Sequence, residues 1–566
     1  MTISKLSCYV TLAAALSSSS FLFAVPKDKD NAEVKFTSRT ELVLIPTLVT
    51  DKSGRHINGL KKEDFTVLEN GAEQKIATFE EITSDPHRPS RPKSSNPNEF
   101  SNSLAGAQTN RRITLMVLDF INTPITDQAA ARRDLLKYLT QSVDQREPTA
   151  LYTLTRSGIH VVHDFTTDPR VLVAALHKVK GDLFQMVDSP QDVEGITGTA
   201  SPDGSAGVDP GQVQTEAQQF QTLIEDSELN FQSFEQRLAI TYTLEGMQQV
   251  AQALAGFPGR KSLIWAGGGF PFNVSDTTMQ LAPAGRDSLT DVLPLYEHTW
   301  QLLNDAQISL YPVDVKGLQT ITPSASITNP GKNYVRNMSS RQMDTQSTLE
   351  TFASMTGGRA YYNSNDLVKG FRDAVNDSAE YYMLGYYLDR TKTKAGWRKL
   401  AVKVDQKHID IRARSGFFVT NATIDPENSR SNDISSALQS PLDYTSLALT
   451  MRWDKIEAGK VPGKKHANYE MHLAPDLTIG NGADNNHLLL EFIAVAKTAD
   501  GKQVDHPQGQ KIDTHVAPDK LASIQQKGIG YNGALDLAPG DYTVRFVVRD
   551  DLSGRVGSVV APLKVE

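Results

Sequence analysis

From Ile113 to Leu118 the chain is apolar at nearly every position and closes on an acid, Asp119. Such a run predicts a strand buried on both faces of a mostly parallel sheet, since a half-exposed strand would alternate. A helical period follows over Asp127 to Val143. Two short strands come next, Ala150 to Leu154 and Ile159 to Phe165, joined by Arg156-Ser157-Gly158 as a hairpin at a sheet edge. Helical spacing returns from Asp168 to Val179 and, beyond an acidic, Gly-rich insertion at 181–211, from about Gln214 to Ala255. The apolar strand Ser262 to Trp265 ends at Gly267-Gly268-Gly269. A helix over Leu293 to Ala306 and a strand from Ile308 to Val313, closed by Asp314, come after it. A helix ending at Met355, a strand Arg359 to Tyr362 and a helix Asp366 to Ala379 complete the alternation. Strands and helices of these lengths in alternation predict a doubly wound, Rossmann-like α/β domain over 111–380.

Either side of this domain the period changes to that of strands and turns. Residues 34–84 read as a small β domain: Glu41 to Thr50 is rich in Val, Leu, Ile and Thr, and Phe65 to Leu68 and Ile76 to Phe79 flank a turn at Asn70-Gly71. Residues 85–110 collect Pro, Ser, Asn and Arg without periodicity and read as a linker. Residues 381–420 alternate as a β meander appended to the α/β domain, and 421–437 is again linker-like. Over 438–566 the runs Tyr444 to Trp453, Tyr469 to Leu477, His487 to Lys497, Ile529 to Leu537 and Gly540 to Asp550 predict a β-sandwich. Tyr542 resembles the corner tyrosine of immunoglobulin-like folds.

The first 24 residues change the picture of where the chain works. Lys5, an apolar-leaning stretch from Leu6 to Leu16 and a Ser-rich run leading to Ala24 predict a signal peptide cleaved before Val25, hence a secreted or periplasmic protein with no transmembrane span after cleavage. The single cysteine, Cys8, falls inside that signal, so the exported chain has neither disulfide nor thiolate chemistry. With 566 residues, a formal net charge of −8 and no basic cluster, nothing directs it toward nucleic acid.

Candidate chemistry is concentrated at one place. Ligands gather at the carboxyl ends of the strands in parallel sheets, which singles out Asp119, Asn122 and Thr123, against the plainer reading that Asp119 and Thr123 cap the next helix. His160 and His163 lie three apart on a strand and face opposite ways. The triple glycine lacks both the Lys-Ser/Thr of a phosphate loop and a serine elbow, and reads as a tight turn. The acids of the 181–211 insertion match no calcium loop. Tyr381, Tyr382, Tyr386 and Tyr387 read as packing residues of the meander.

Three phrases then carry a resemblance: Asp64-Phe65-Thr66-Val67-Leu68-Glu69-Asn70-Gly71, Phe257-Pro258-Gly259-Arg260-Lys261 and Glu380-Tyr381-Tyr382-Met383-Leu384-Gly385-Tyr386-Tyr387. With the strand ending at Asp119, they make Val34 to Val419 resemble bacterial secreted proteins with a von Willebrand factor type A (VWA)-related domain behind a small β domain. The resemblance implies a sheet of order 3-2-1-4-5-6 and a metal-ion-dependent adhesion site at its carboxyl edge. Carried over, Asp119 matches the first metal ligand, Thr123 the last hydroxyl of that loop and Thr241 the second-loop threonine, with Asn122 and Thr243 as further candidates. Ile121 and Gly267 stand where the family has a serine and an aspartate, so any Mg²⁺ or Mn²⁺ site is degenerate. Asp314 ends two strands away from Asp119, roughly 9 to 10 Å, too far to share a first shell. Replacing Gly267 by Asp is expected to strengthen such a site.

The resulting expectation is an extracytoplasmic, non-enzymatic binding or scaffold protein that meets an unidentified protein partner through Asp119, Asn122, Gly267 and Asp314. The alternatives are a metal-free structural component of an envelope assembly and, least of all, a metal-assisted hydrolase.

Overall fold

A computed structural model describes residues 40–83, 98–102, 113–141, 147–179, 234–270, 273–274, 281–282, 292–317, 345–364, 366–377, 380–389, 393–419, 426–459, 461–480 and 486–566. The expected signal segment 1–24, the insertion 181–211 and most of 85–110 lie outside the described residues. The chain is a mixed α/β structure with several sheets. No helix among the described residues is long and apolar enough to cross a membrane.

The strand Thr114–Asp119 is buried at every position because it is central in a five-stranded sheet. It pairs in parallel with Thr149–Thr155 on one side and Lys261–Gly267 on the other. Ile308–Asp314 adds in parallel beyond Lys261–Gly267, and Gly158–Thr166 closes the opposite edge antiparallel, as one arm of the 149–166 hairpin. Helices lie on both faces. Ile125–Gln141, Pro169–Lys178 and Leu367–Asn376 share a core with Met116, Leu118, Ile264 and Tyr311, whereas residues 234–254 and Leu293–Asp305 cover Leu115, Val117, Leu263 and Leu310. Adjacent side chains of a strand point to opposite faces, which is why one apolar run feeds two cores. The expected strand Arg359 to Tyr362 is reduced to a single parallel bridge, Tyr361 to Val313.

The flanking β segments are organised differently from the sequence reading. Tyr381–Asp389, expected in a meander beside the α/β domain, pairs antiparallel with Thr40–Asp51 and with Thr78–Ile82. Gly396–Val404 pairs likewise with Phe65–Glu69. Residues 40–82 and 381–419 therefore form one β module of two four-stranded sheets, in order Ile409–Arg412, Thr40–Asp51, Tyr381–Asp389, Thr78–Ile82 and Gly416–Val419, Gly396–Val404, Phe65–Glu69, Ala72–Gln74, around the core of Val43, Ile45, Val67, Tyr382 and Tyr386. Alternation along each segment is visible locally, but a partner more than 300 residues away is not.

Neither linker is merely a linker. Glu99–Ser101, inside the Pro/Ser-rich stretch, is an edge strand on Leu449–Ala458. The neighbouring Asn102 is buried, its amide donating to the carbonyls of Tyr444 and Leu447 at 2.7 Å and accepting from Leu449 N. Residues 426–439 are helical, tied to the C-terminal module through Arg430–Glu491 and Asp433–Arg549 ion pairs. That module is two four-stranded antiparallel sheets facing across Leu490, Phe492, Tyr469 and Phe546. It includes two long strands without a sequence expectation, Gln503–His515 and Val556–Val565. The Tyr542 hydroxyl donates to Ala538 O at 2.9 Å.

Thr445 locks the C-terminal module to the α/β unit. Its N–H donates to Gln252 O, its hydroxyl donates to Ala253 O at 2.8 Å, and the same oxygen accepts from Gly256 N at 2.8 Å. A Cβ on Gly256 would fall 2.1 Å from Thr445 O, so only glycine permits the approach. Gly256→Ala is expected to lower stability by about 1–3 kcal/mol and to split one calorimetric unfolding transition into two.

Lys261 is fully buried at the start of its strand, donating from Nζ to Gly259 O at 2.8 Å and to Ala306 O at the end of helix 293–305. Burial pushes its ammonium from 10.5 down to about 7. The unfolded chain then binds the extra proton between those values, so this group makes stability rise with pH from about 7 to 10.5. Denaturant melts of Lys261→Met should lack that rise.

Candidate functional site

Parallel register puts Asp119, Gly267 and Asp314 side by side at the carboxyl edge: Leu118 is level with Ala266, and Gly267 with Asp314. Asp119 is completely buried. Its Oδ1 accepts from Asn122 N at 3.0 Å. Its Oδ2 accepts from Asn122 Nδ2 at 2.6 Å and from the Trp265 indole N–H at 2.8 Å. Burial pushes the Asp119 carboxyl above its usual range, while the donors from Asn122 and Trp265 pull the other way.

The neighbouring loop closes over this acid. The Thr123 hydroxyl donates to Asp119 O and accepts from Gly268 N at 3.0 Å. A Cβ on Gly267 would sit 3.0 Å from Asp119 Cβ, and one on Gly268 would sit 2.5 Å from Asn122 O. The triple glycine therefore lets two loops pack backbone against backbone. Helix capping is not the task of Asp119 or Thr123: the first turn of Ile125–Gln141 is closed by Pro124 O accepting from Asp127 N and Gln128 N.

The threonine that faces Asn122 is Thr243. Asn122 Nδ2 donates to its hydroxyl at 2.9 Å, and that hydroxyl donates to Ala239 O. Thr241, two residues earlier, lies about 200° around the helix and donates back to Arg237 O within it. Asp314 is buried too; its Oδ1 accepts from Lys316 N, and burial pushes its carboxyl up. The structure thus joins Asp119, Asn122, Thr123, Thr243, Gly267 and Gly268 in one network, and leaves Thr241 outside it.

The sequence pattern marks Trp265 only as the last residue of an apolar strand. It is level with Val117, two residues before Asp119 and on the same face of that strand, so once the strands are set in parallel the indole and the carboxylate become diagonal neighbours.

These residues do not fit a divalent cation as arranged. A metal needs lone pairs pointing at it, in near-octahedral oxygen ligation for Mg²⁺. Both Asp119 oxygens face N–H donors instead, and Asn122 turns its NH₂ group toward Asp119 and Thr243, leaving its own Oδ1 buried without a partner. A cation would require the indole to leave and the amide to turn over.

No family profile and no curated protein matches the chain. Among solved structures, an aerotolerance-related membrane protein from Bacteroides fragilis, carrying multiple mutations to serines, is similar at a TM-score of 0.24 and 9% identity, over 47% of this chain and 98% of that one. So low a score carries no argument about function.

The raised Asp119 pKa has a definite sign. An acid whose folded value lies above its unfolded value contributes stability that is complete below the unfolded value and is lost as pH rises through the folded one. Asp119→Asn should remove that slope from urea midpoints measured between the acid and neutral ranges. It should also cost about 1–3 kcal/mol at neutral pH, because one oxygen becomes an NH₂ facing other donors.

Proposed function

We propose that the chain is an extracytoplasmic, non-enzymatic protein-binding or scaffold protein, built around a VWA-related domain whose carboxyl edge meets its partner without a metal. The observation that carries this reading is the pairing of both Asp119 oxygens with the N–H groups of Asn122 and Trp265. A carboxylate so engaged has no lone pair turned outward for a cation or for a substrate proton. It acts as an internal post that fixes the loop around Asn122 and Thr123 against Gly267 and Gly268, and so gives the edge a preset shape. Preset loops on a rigid sheet lower the ordering cost of binding a protein surface. The signal-like first 24 residues support the extracytoplasmic placement.

Partner capture from the extracytoplasmic fraction should be the same with Mg²⁺ as with chelator, and calorimetry should show no Mg²⁺ or Mn²⁺ uptake. Gly267→Asp, at first sight a repair of the metal site, should instead destabilise by about 1–3 kcal/mol through crowding of Asp119. Capture that requires Mg²⁺, together with a shift of the Trp265 indole proton resonance as the metal saturates, would overturn the metal-free reading. Capture of nothing under either condition would leave the purely structural role in the envelope.

A further inference from the structure

The C-terminal module ends one of its sheets on a long strand. Gln503–His515 is bonded on one side to His487–Thr498, and no strand among the described residues meets its other side. Residues 507–515 are exposed except for the half-buried Ile512. A strand edge of this kind presents a row of N–H and C=O groups that another strand can pair with, and native chains ordinarily shorten, bend or cover it.

The ladder fixes which groups face outward. Val516 N donates to Asn486 O at 2.8 Å, and the register sets His487 opposite His515. Bonded and non-bonded positions alternate along an antiparallel pair, so Thr514, Ile512 and Gln510 turn their N–H and C=O groups toward the neighbouring strand. Gly509, Lys511, Asp513 and His515 turn theirs to the open side. Their side chains share one face, opposite the one on which Ile512 packs against the module core.

That pattern is complementary to itself. Two copies related by a two-fold axis at Ile512 place each Lys511 opposite the partner's Asp513, and each Gly509, which leaves room, opposite the partner's His515. All of these are outward positions, so every such pair can exchange main-chain hydrogen bonds. Registers one step either way set Lys511 on the partner's Lys511, or Asp513 on the partner's Asp513. A lysine alone would repel a second edge; with an acid two positions on, it rejects the like-charge registers and leaves one. Both side chains have capacity to spare. Lys511 is 48% exposed with its ammonium 3.4 Å from Asp551 Oδ2, and Asp513 is 63% exposed and gives only Oδ1 to His487 Nε2, at 2.9 Å. An ammonium has three donors and a carboxylate two acceptor oxygens.

We propose that a second copy of this chain docks here, edge to edge and antiparallel about Ile512, joining two four-stranded sheets into one of eight strands. Sedimentation equilibrium on the chain without residues 1–24 tests it, and should give a dimer with a Kd on the order of 10 μM or tighter. Asp513→Lys and Lys511→Asp, each alone, bring like charges together and should weaken the dimer at least about tenfold. An equal mixture of the two variants should associate as tightly as wild type, because both lysines of one chain then meet both acids of the other. In hydrogen exchange, the amides of Lys511 and Asp513 should slow as concentration passes the Kd, while those of Gln510 and Ile512, already bonded within the chain, should not change. A chain that stays monomeric up to about a hundred times that Kd, a dimer that neither substitution weakens, or a dimer in which the Lys511 and Asp513 amides exchange as fast as in the monomer would overturn the proposal.

Discussion

Arg260 is fully buried, and the partners that hold its guanidinium are neutral oxygens: Ser309 Oγ at 2.7 Å, Tyr311 Oη at 3.0 Å and Gly357 O at 2.7 Å. Withdrawing such a charge from water costs several kcal/mol, so it persists only where the surroundings supply acceptors in fixed positions. Each acceptor belongs to a different piece of the architecture. Ser309 and Tyr311 set the neighbouring parallel strand, and Gly357 ends helix 345–356. The Arg260 N–H donates to the Tyr381 hydroxyl at 2.9 Å, at the first residue of the strand that runs through the centre of the β module. Strand register, helix end and module docking are therefore conditions for burying one cation. The Asp119 edge, at the far end of the strand that Arg260 precedes, inherits that register.

The same joint explains which parts of the chain were legible. The three phrases on which the resemblance rests lie far apart in sequence but touch in space. Tyr381 meets Arg260, and Glu69 receives the Tyr386 hydroxyl at 2.9 Å while Arg398 donates to it at 2.6 Å. Asn70 adds a side-chain bond from Lys399 N. Such residues form recognisable strings because a buried polar contact tolerates few substitutes. The pairing they enforce is not readable from the strings themselves, so the sequence alone divides the β module into a small β domain and a meander appended to the α/β domain. The strands of the parallel sheet were legible for a simpler reason: continuous apolar runs of this length ended by glycine or acid have few other folded fates.

What stayed hidden was decided by relative phase or by tertiary context. Thr241 and Thr243 differ by two positions, and a helix whose beginning cannot be fixed from sequence leaves its facing residue open; the bond from Asn122 selects Thr243. Trp265 looked like one more apolar residue of a strand, and only register turns its N–H toward a carboxylate. The segments around Glu99–Ser101 and 426–439 carry few apolar residues, Phe100 in one and Ile434, Ala437 and Leu438 in the other, and add specific bonds to these, Asn102 to Tyr444 O and Arg430 to Glu491. Periodicity cannot see contacts of that kind.

Helix 234–254 joins the two halves of this account. At its middle Thr243 bonds Asn122, and near its end the carbonyls of Gln252 and Ala253 receive the backbone N–H and hydroxyl of Thr445. With about 1.5 Å of rise per residue, the two contacts are roughly 14 Å apart along one rigid rod. A slide or rotation of the rod would break bonds at both ends, so the Asp119 loop is braced by the C-terminal module through a path of direct contacts. Calling that path allosteric would require a second arrangement of the helix that both ends could favour. The contacts instead give a single arrangement, and what the distant sandwich contributes to the carboxyl edge is stiffness: the property that the proposed binding surface needs most.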